Sequence, residues 1–253
     1  MMAVFQTVAV AFSIFSAVPV PQLEWNENNM RWMLCAFPLV GVVCGGCWMA
    51  LSLLPLPDFL RGALFCLAPV AVTGGIHLDG YADTCDALAS CGGIAKKQEI
   101  LRDPRCGAFA VIRLCGYFVL YLALCVTLSP SADAVLCAGL GFVLSRALSG
   151  WAVASLPLAK DVDLVHTFAT AADRQRVSRL LVVLSAVLAM AQIAVGEIAG
   201  LAMVAASGLT LWHYAQVAKT QFGGITGDLA GWFLQKCELW QLAALVFCQL
   251  LEV

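Results

Sequence analysis

Long apolar runs dominate the chain, and short polar segments separate them. A transmembrane helix needs about 20 mostly apolar residues, and eight stretches approach that length. The first and the last of them are short, and the last is compatible with an interfacial helix. We therefore predict seven or eight helices, at about residues 3–18, 34–54, 59–76, 108–129, 132–156, 179–197, 198–218 and 238–252.

The composition indicates a membrane protein. Apolar residues make up 62% of the 253 residues and charged residues 12%, whereas soluble domains average about 45–50% and about 25%. We predict an all-α fold, a polytopic membrane helix bundle of seven to eight transmembrane or half-inserted helices. Residues 1–253 would form a single integral membrane domain. No Lys or Arg precedes the first apolar stretch, so we expect no cleaved secretory signal.

Basic residues collect in one set of connecting segments. The segments 55–58, 129–132 and 196–200 are short and contain no Lys or Arg. Most of the basic residues lie in the longer segments, which are 19–33, 77–107, 157–178 and 219–237. The positive-inside rule places these longer segments on the cytoplasmic side. The net charge of −2 and the absence of a basic stripe argue against a nucleic-acid partner.

Three carboxylates follow the third apolar stretch at a helical spacing. On a helix, successive side chains turn by about 100°, so Asp79, Asp83 and Asp86 would share one face within about 60°. Like charges at this spacing repel by about 0.2–0.5 kcal/mol per pair even in water, so a positive group should compensate them. The alternative is a solvated acidic helix start, which the helix dipole favours.

Mg²⁺ is the cation that this arrangement favours. It takes oxygen ligands, commonly one or two carboxylates together with substrate phosphates and water. We predict Asp79, Asp83 and Asp86 as metal ligands, with Asp228 from a later segment as a fourth. His77 would point away from Asp79 on such a helix, and it either contacts substrate or caps the helix.

Arginines are candidate partners for phosphate oxygens. Arg102 and Arg105 precede the fourth apolar stretch in "ILRDPRCGAF", and Arg146 lies inside the fifth stretch in "LSRALSGW". A guanidinium group binds phosphate through paired hydrogen bonds, so we predict all three as phosphate-binding. The alternatives are anchoring of the basic loop at the membrane surface and, for Arg146, snorkelling to the interface.

A glycine-rich segment, "FGGITGDLAGW", joins the last two apolar stretches. Its glycines permit a nest of backbone amides for phosphate, so we add Gly224 and Gly227 to the predicted phosphate-binding set. A plain turn is the alternative. The segment 160–178 is interpreted as an ordinary solvated loop, although it contains Asp161, Asp163, His166 and Asp173.

The cysteines are interpreted as packing residues. Most of the twelve lie in apolar runs, where a thiol behaves as a small hydrophobe. Cys44 and Cys47 form the one CxxC pair, but their position inside a membrane span is unsuited to redox or zinc chemistry. The spacing of Gly41 and Gly45 predicts a close helix–helix contact there.

The combined pattern suits phosphoryl transfer at a membrane surface, with carboxylates for one or two cations and arginines for phosphates. An ion-coupled transporter is one alternative, but it would place acids near mid-span. A CDP-alcohol-type membrane phosphotransferase is another, although its signature has Ala-Arg where Ala82 is followed by Asp83. A non-catalytic scaffold gives no reason for the aspartates.

Four motifs together resemble the landmarks of the cobalamin synthase family, which are integral-membrane adenosylcobinamide-GDP ribazoletransferases. In chain order they are "TGGIHLDGYADTCDA", "LRDPRCGAF", "LSRALSGW" and "GGITGDLAGW". The segments "VPVP" and "FPLVG" near the amino terminus are similar to the same family. The similarity therefore spans nearly the whole chain.

The resemblance implies a specific reaction. The cobinamide-phosphate moiety of adenosylcobinamide-GDP is transferred to α-ribazole 5′-phosphate, or to α-ribazole. The products are adenosylcobalamin 5′-phosphate, or adenosylcobalamin, and GMP, in a late step of cobalamin biosynthesis. The family requires Mg²⁺ and is multi-pass in the bacterial cytoplasmic (inner) membrane, so we expect a cytoplasm-facing active site. Membrane lipid is an expected partner, while a homo-oligomer and contacts with other enzymes of the pathway stay open.

The resemblance also implies residue roles. The aspartate motif falls on Asp79, Asp83 and Asp86, and the histidine of the family falls on His77. Together with the chemistry of the residues, this makes Asp86 the expected base and Asp83 and His77 further catalytic candidates. Asp228 falls on the aspartate of the TGD motif. The arginine-containing segment of the family falls on Arg102, Asp103 and Arg105. Four positions depart from the family pattern, namely Ala17 for an arginine, Ala87 for a glycine, Pro104 for a serine and Leu229 for a threonine.

Overall fold

The computed structural model describes residues 2–159 and 173–252. Its first half comprises α1 (Met2–Phe15), α2 (Glu27–Met30), α3 (Met33–Ala36), α4 (Pro38–Ser52), α5 (Asp58–Thr73), α6 (Ile76–Ala89) and α7 (Ile94–Leu101). Its second half comprises α8 (Ala108–Thr127), α9 (Ala132–Ser155), α10 (Arg174–Val217), a π-helical turn (Ala218–Phe222) and α11 (Gly227–Leu250). The described ranges contain no β-strand, so the all-α prediction is confirmed.

Four helical segments of the described residues are long and apolar enough to cross a membrane. They are Met33–Ser52, Ala108–Thr127, Ala132–Ser155 and Arg174–Phe222, and α5 with α6 passes the same test as a pair bent by 95°. The count is lower than seven or eight because α1 is short and the polar side chains of α11 lower its hydropathy. In addition, α5 passes only together with α6, and the predicted stretches 179–197 and 198–218 are counted as one segment. These helices nevertheless define a polytopic helical membrane protein.

α10 is two helical arms joined at a sharp bend. Glu197 has φ 48° and ψ −117°, which no helix accommodates. The side-chain amide of Gln192 lies 3.7 Å from the sulfur of Met203, although in a straight helix residues this far apart would be separated by about 16 Å. The arms therefore fold back on each other, as expected for separate stretches at 179–197 and 198–218.

α11 begins eleven residues before the predicted stretch at 238–252. The Thr226 hydroxyl caps it by accepting a hydrogen bond from the backbone N–H of Leu229 at 3.3 Å. The helix lies inside the bundle, and Gln235, Glu238 and Gln241 are all buried. The hydropathy pattern missed its first half because these polar side chains face protein rather than lipid.

Glycines allow α4 to pack closely against α9. A Cβ at Gly41 would lie 2.5 Å from the carbonyl oxygen of Phe142, and a Cβ at Gly45 would lie 2.9 Å from the Cα of Gly139. The backbones are therefore in direct contact, which confirms the contact predicted from the GxxxG spacing. Cys44 is buried beside this contact and carries a free thiol, consistent with a packing role.

The longer connecting segments meet at one end of the bundle. The side chain of Gln98 donates to the carbonyl of Phe222 at 2.8 Å, and the N–H of Ile225 donates to the carbonyl of Pro157 at 2.9 Å. At the other end, Ser129 and Gln249 exchange two hydrogen bonds of 2.9 and 3.0 Å. One end therefore collects the basic segments, and we refer to it as the basic end.

Gly41→Ala should destabilise the protein, because overpacking a close contact costs about 1–3 kcal/mol. Gly46→Ala is the matched control, since no described residue comes within 4 Å of a Cβ at that position and alanine favours helix by up to about 1 kcal/mol. The measurement is the thermal unfolding midpoint of each variant in the same detergent. Equal midpoints for the two variants would contradict the contact.

Candidate active site

Two consecutive glycines position the acidic helix. Gly74 (φ 66°) ends α5 and Gly75 (φ 82°) precedes α6, both in the left-handed region that strains other residues. The chain turns by 95° here, so α6 leaves the direction of α5. The polar sequence after residue 75 thereby forms a new helix, and the helix predicted for the three aspartates is confirmed.

The aspartates lie along one side of α6 with no cation bonded to them among the described residues. Asp79 is exposed, whereas Asp83 and Asp86 are half-buried. α6 is not among the four spanning segments. The pKa of Asp83 is raised to about 6, first by burial and then by the negative charges of Asp79 and Asp86. This mutual repulsion is what a bound cation would relieve.

A close helix contact brings the fourth aspartate to the same place. A Cβ at Gly80 would lie 2.8 Å from both the Cα and the carbonyl oxygen of Asp228. A Cβ at Gly231 would lie 2.9 Å from the carbonyl oxygen of His77. α6 and α11 therefore meet backbone to backbone, and Asp228 lies beside Asp79. The requirement for glycine at Gly80 was missed, although it stands inside the quoted aspartate motif.

Asp86 lies at the start of another helix. Its two carboxylate oxygens occupy the space that a Cβ at Gly107 would fill, and Gly107 is the N-cap of α8. The amino terminus of a helix favours a negative charge. Gly107 therefore lets a carboxylate of α6 approach the first turn of α8.

A cavity of about 410 Å³ opens beside these carboxylates. Asp79 and Asp228 both line it, together with the first turns of α6 and α11. The rest of its wall is largely apolar and comes from α1, the α3–α4 junction and α9. The acidic groups thus border a space of the size that accepts small organic ligands.

His77 is buried in the wall of this cavity. Its side chain is 5% exposed, its ring lies 5.7 Å from that of Phe37, and its Nε2 has no hydrogen-bond partner among the described residues. α6 has no side-chain cap, so His77 is not a helix cap. Contact with substrate, the other predicted role, stays a prediction.

Arg105 lies in the loop before α8 and is engaged locally. It donates hydrogen bonds of 2.8 and 2.7 Å to the carboxylate of Asp103, and these bonds lower the pKa of Asp103 to about 2. Arg102 is exposed at the carboxyl end of α7. Both arginines are thus at the basic end of the bundle, and their binding of phosphate stays a prediction.

The prediction that Arg146 binds phosphate is not supported by its position. Arg146 is fully buried, and its Nη1 lies 2.6 Å from the Oε1 of Glu238 and 2.9 Å from the carbonyl of Phe142. Inside a membrane protein a charge requires such a partner. Arg146 therefore forms an internal ion pair between α9 and α11, and it does not snorkel either.

The predicted amide nest at Gly224 also needs correction. The N–H of Gly224 donates to the carbonyl of Ala218 at 2.9 Å, and its Cα packs against the backbone of Leu158 and Ala159. Its glycine identity is explained by this contact and by φ 152°, so the structure gives it a chain-packing role. Gly227, by contrast, is the first residue of α11 and lines the cavity.

The loop interpretation of 160–178 is tested only in part, because 160–172 lie outside the described residues. Asp173 is described, and it pairs with Arg31 at 2.8 Å and accepts a hydrogen bond from the N–H of Arg176. It thus caps α10 and joins that helix to the amino-terminal region.

The donor set fits a magnesium ion that is shared with a phosphorylated ligand. Among the described residues, no group of three or more His, Cys, Asp or Glu side chains forms a ready-made metal site. Mg²⁺ does not require one, since it is commonly held by one or two carboxylates together with phosphate oxygens and water. Asp79 and Asp86 both contribute, after burial, to the raised pKa of Asp83, and a cation placed among them would lower it.

Fold and site together define the class of this protein, a polytopic helical membrane protein with an acidic site at the basic end of its bundle. A family model described as cobalamin-5-phosphate synthase matches residues 7–246. The chain belongs to the cobalamin-5-phosphate synthase family. This match covers every motif from which the resemblance was predicted.

Individual relatives agree with the family. The chain is 39% identical to an adenosylcobinamide-GDP ribazoletransferase of Lachnoclostridium phytofermentans over 244 residues, covering 95% of this chain and 93% of the relative. It is 31% identical to a protein of the same name from Geobacillus kaustophilus, covering 91% and 92%. No solved structure matches the chain.

Gly107→Ala should displace the carboxylate of Asp86 without removing it, because the new methyl group would overlap both oxygens. We expect a folded protein with at least about tenfold lower turnover, because displacing a catalytic group by about 1 Å lowers the rate by a factor of this order or more. Gly93→Ala is the control, since no atom of the described ranges lies within 4 Å of a Cβ there. Unchanged turnover in Gly107→Ala would show that the position of Asp86 is unimportant.

Proposed function

We propose that this protein is the transferase that joins adenosylcobinamide-GDP to α-ribazole 5′-phosphate, or to α-ribazole, and releases GMP. The observation that carries the proposal is the meeting of Asp79 and Asp228 at one cavity. These residues come from the two most distinctive acidic motifs of a chain that matches the cobalamin-5-phosphate synthase family.

Asp79, Asp83, Asp86 and Asp228 would hold Mg²⁺ against the diphosphate of adenosylcobinamide-GDP. When bound, the cation neutralises phosphate charge and stabilises the leaving group. A role for such a cation is supported by the charges of Asp79 and Asp86, which add to the burial that raises the pKa of Asp83. Arg102 and Arg105 lie in the loop between α7 and α8 and would bind phosphate oxygens of the substrate. Arg105 would then release its hydrogen bonds to Asp103.

The bond changes follow from the substrates. A ribose hydroxyl of the acceptor attacks the phosphorus nearest the cobinamide, and the bond from that phosphorus to the bridging oxygen of GMP breaks. Asp86 accepts the hydroxyl proton, as general base catalysis requires a group near the nucleophile. The chain holds both partners in place, because phosphoryl transfer depends mainly on positioning and charge neutralisation.

The reaction would take place at the cytoplasmic side of the bacterial inner membrane. The basic segments gather at the same end of the bundle as the carboxylates, and the positive-inside rule assigns such an end to the cytoplasm. Cytoplasmic nucleotides would then reach the site without crossing the membrane.

The direct test is an assay of the purified protein with adenosylcobinamide-GDP, α-ribazole 5′-phosphate and Mg²⁺. We expect GMP release that EDTA abolishes and that Asp83→Asn lowers by about a hundredfold or more, because several kcal/mol of charge stabilisation corresponds to such a factor. Asp133→Asn is the control, since Asp133 is an exposed aspartate at the opposite end of the bundle.

The outcomes separate the parts of the proposal. Full turnover in EDTA would show that the reaction does not need a metal ion. Full turnover of Asp83→Asn would show that Asp83 is not part of the active site. Absence of GMP release under any condition would overturn the assigned reaction.

The topology is testable with a membrane-impermeant maleimide. Cys91 and Cys106 are exposed at the basic end, so we expect both to be labelled in inside-out vesicles and protected in intact spheroplasts. The double variant Cys91→Ser/Cys106→Ser supplies the background from the other thiols. Labelling of these two residues from outside the cell would reverse the assigned orientation.

A further inference from the structure

The wall of the 410 Å³ cavity differs sharply from its acidic border. Phe15 and Phe37 have ring centroids 4.2 Å apart, and the ring of His77 lies 5.7 Å from Phe37. Leu34 and Val153, both at most 4% exposed, complete the apolar side. A space bounded by aromatic rings on one side and carboxylates on the other suits a ligand with an apolar flat part and a polar part.

One polar atom in this wall lacks a partner. His77 is 5% exposed, and its Nε2 makes no hydrogen bond to any residue that the structure describes. An unpaired buried polar atom costs free energy, which a ligand with one complementary nitrogen or oxygen would recover. This wall therefore presents an apolar aromatic surface, with the buried His77 and Ser149 as its polar residues.

We propose that this cavity binds the aromatic base of the acceptor nucleoside, with His77 recognising its free ring nitrogen. This inference rests on the proposed function. The base of α-ribazole is dimethylbenzimidazole, a fused apolar two-ring system with one unsubstituted ring nitrogen. That chemistry matches the aromatic wall and the unpartnered Nε2 of His77.

The other parts of the substrates fit this space poorly. A guanine base carries several donors and acceptors along its edges, and a mostly apolar wall would leave most of them unpaired. A corrin ring with its side chains is far larger than a cavity of about 410 Å³. With the base against Phe37, the ribose would extend toward Asp79 and Asp228, where the proposed diphosphate binds.

The first test fills the cavity. Val153→Phe adds a ring to the wall on α9, away from the carboxylates. We expect the KM for α-ribazole to rise at least about tenfold, the usual effect of blocking a hydrophobic subsite, while the KM for adenosylcobinamide-GDP stays within about twofold. Val119→Phe is the matched control, because Val119 on α8 is 71% exposed and does not line the cavity.

The second test isolates His77 by changing the substrate. The riboside of 5,6-dimethylindole has a C–H group in place of the free ring nitrogen. The protein should prefer α-ribazole in kcat/KM by about tenfold or more, since a site loses affinity when its buried polar group is left unpaired. In His77→Phe this preference should fall below about twofold, an effect that a purely structural role of His77 would not produce.

The outcomes distinguish this inference from the assigned reaction. If the unmodified protein releases no GMP with α-ribazole, the proposed function fails. If it releases GMP but Val153→Phe raises the KM for adenosylcobinamide-GDP instead, the cavity belongs to the donor and this inference is overturned. If Val153→Phe does not fold, the indole comparison decides, and an unchanged preference in His77→Phe overturns the inference.

Discussion

The direct contact between the backbones of α6 and α11 is the constraint on which the acidic site depends. Gly80 lies against Asp228, and Gly231 lies against the carbonyl of His77. Any side chain at these two positions would separate the helices, and with them Asp79 and Asp228. Because protein interiors are densely packed, this contact also sets the shape of the cavity. The carboxylates and the apolar wall therefore form one unit.

The interior of the bundle explains why α11 is polar although it belongs to a membrane protein. Glu238 pairs with Arg146 at 2.6 Å, and Gln241 accepts a hydrogen bond of 3.1 Å from Gln192. Polar groups shielded from water must be satisfied within the protein. These bonds join α11 to α9 and α10. They thereby hold the helix whose first turn carries Asp228.

Local patterns predicted features whose causes are local. The spacing of the aspartates predicted the helix of α6, and the spacing of Gly41 and Gly45 predicted a close contact. The structure gives Arg146 and Gly224 internal partners that the sequence interpretation did not include, because each contact depends on a distant segment. Glu238 lies 92 residues beyond Arg146, and Leu158 lies 66 residues before Gly224. No pattern around either residue reveals which segment will pack against it.

The sequence by itself determined the helical membrane fold, the acidic face of α6 and the family, because hydropathy, helical periodicity and motifs are properties of contiguous residues. Only the tertiary structure decided that Asp228 joins Asp79, that Arg146 is internal, and that aromatic rings from α1 and the α3–α4 junction enclose a cavity beside them. These are contacts between segments far apart in the chain. They depend on how closely two backbones can approach, which the side chains of both partners decide together.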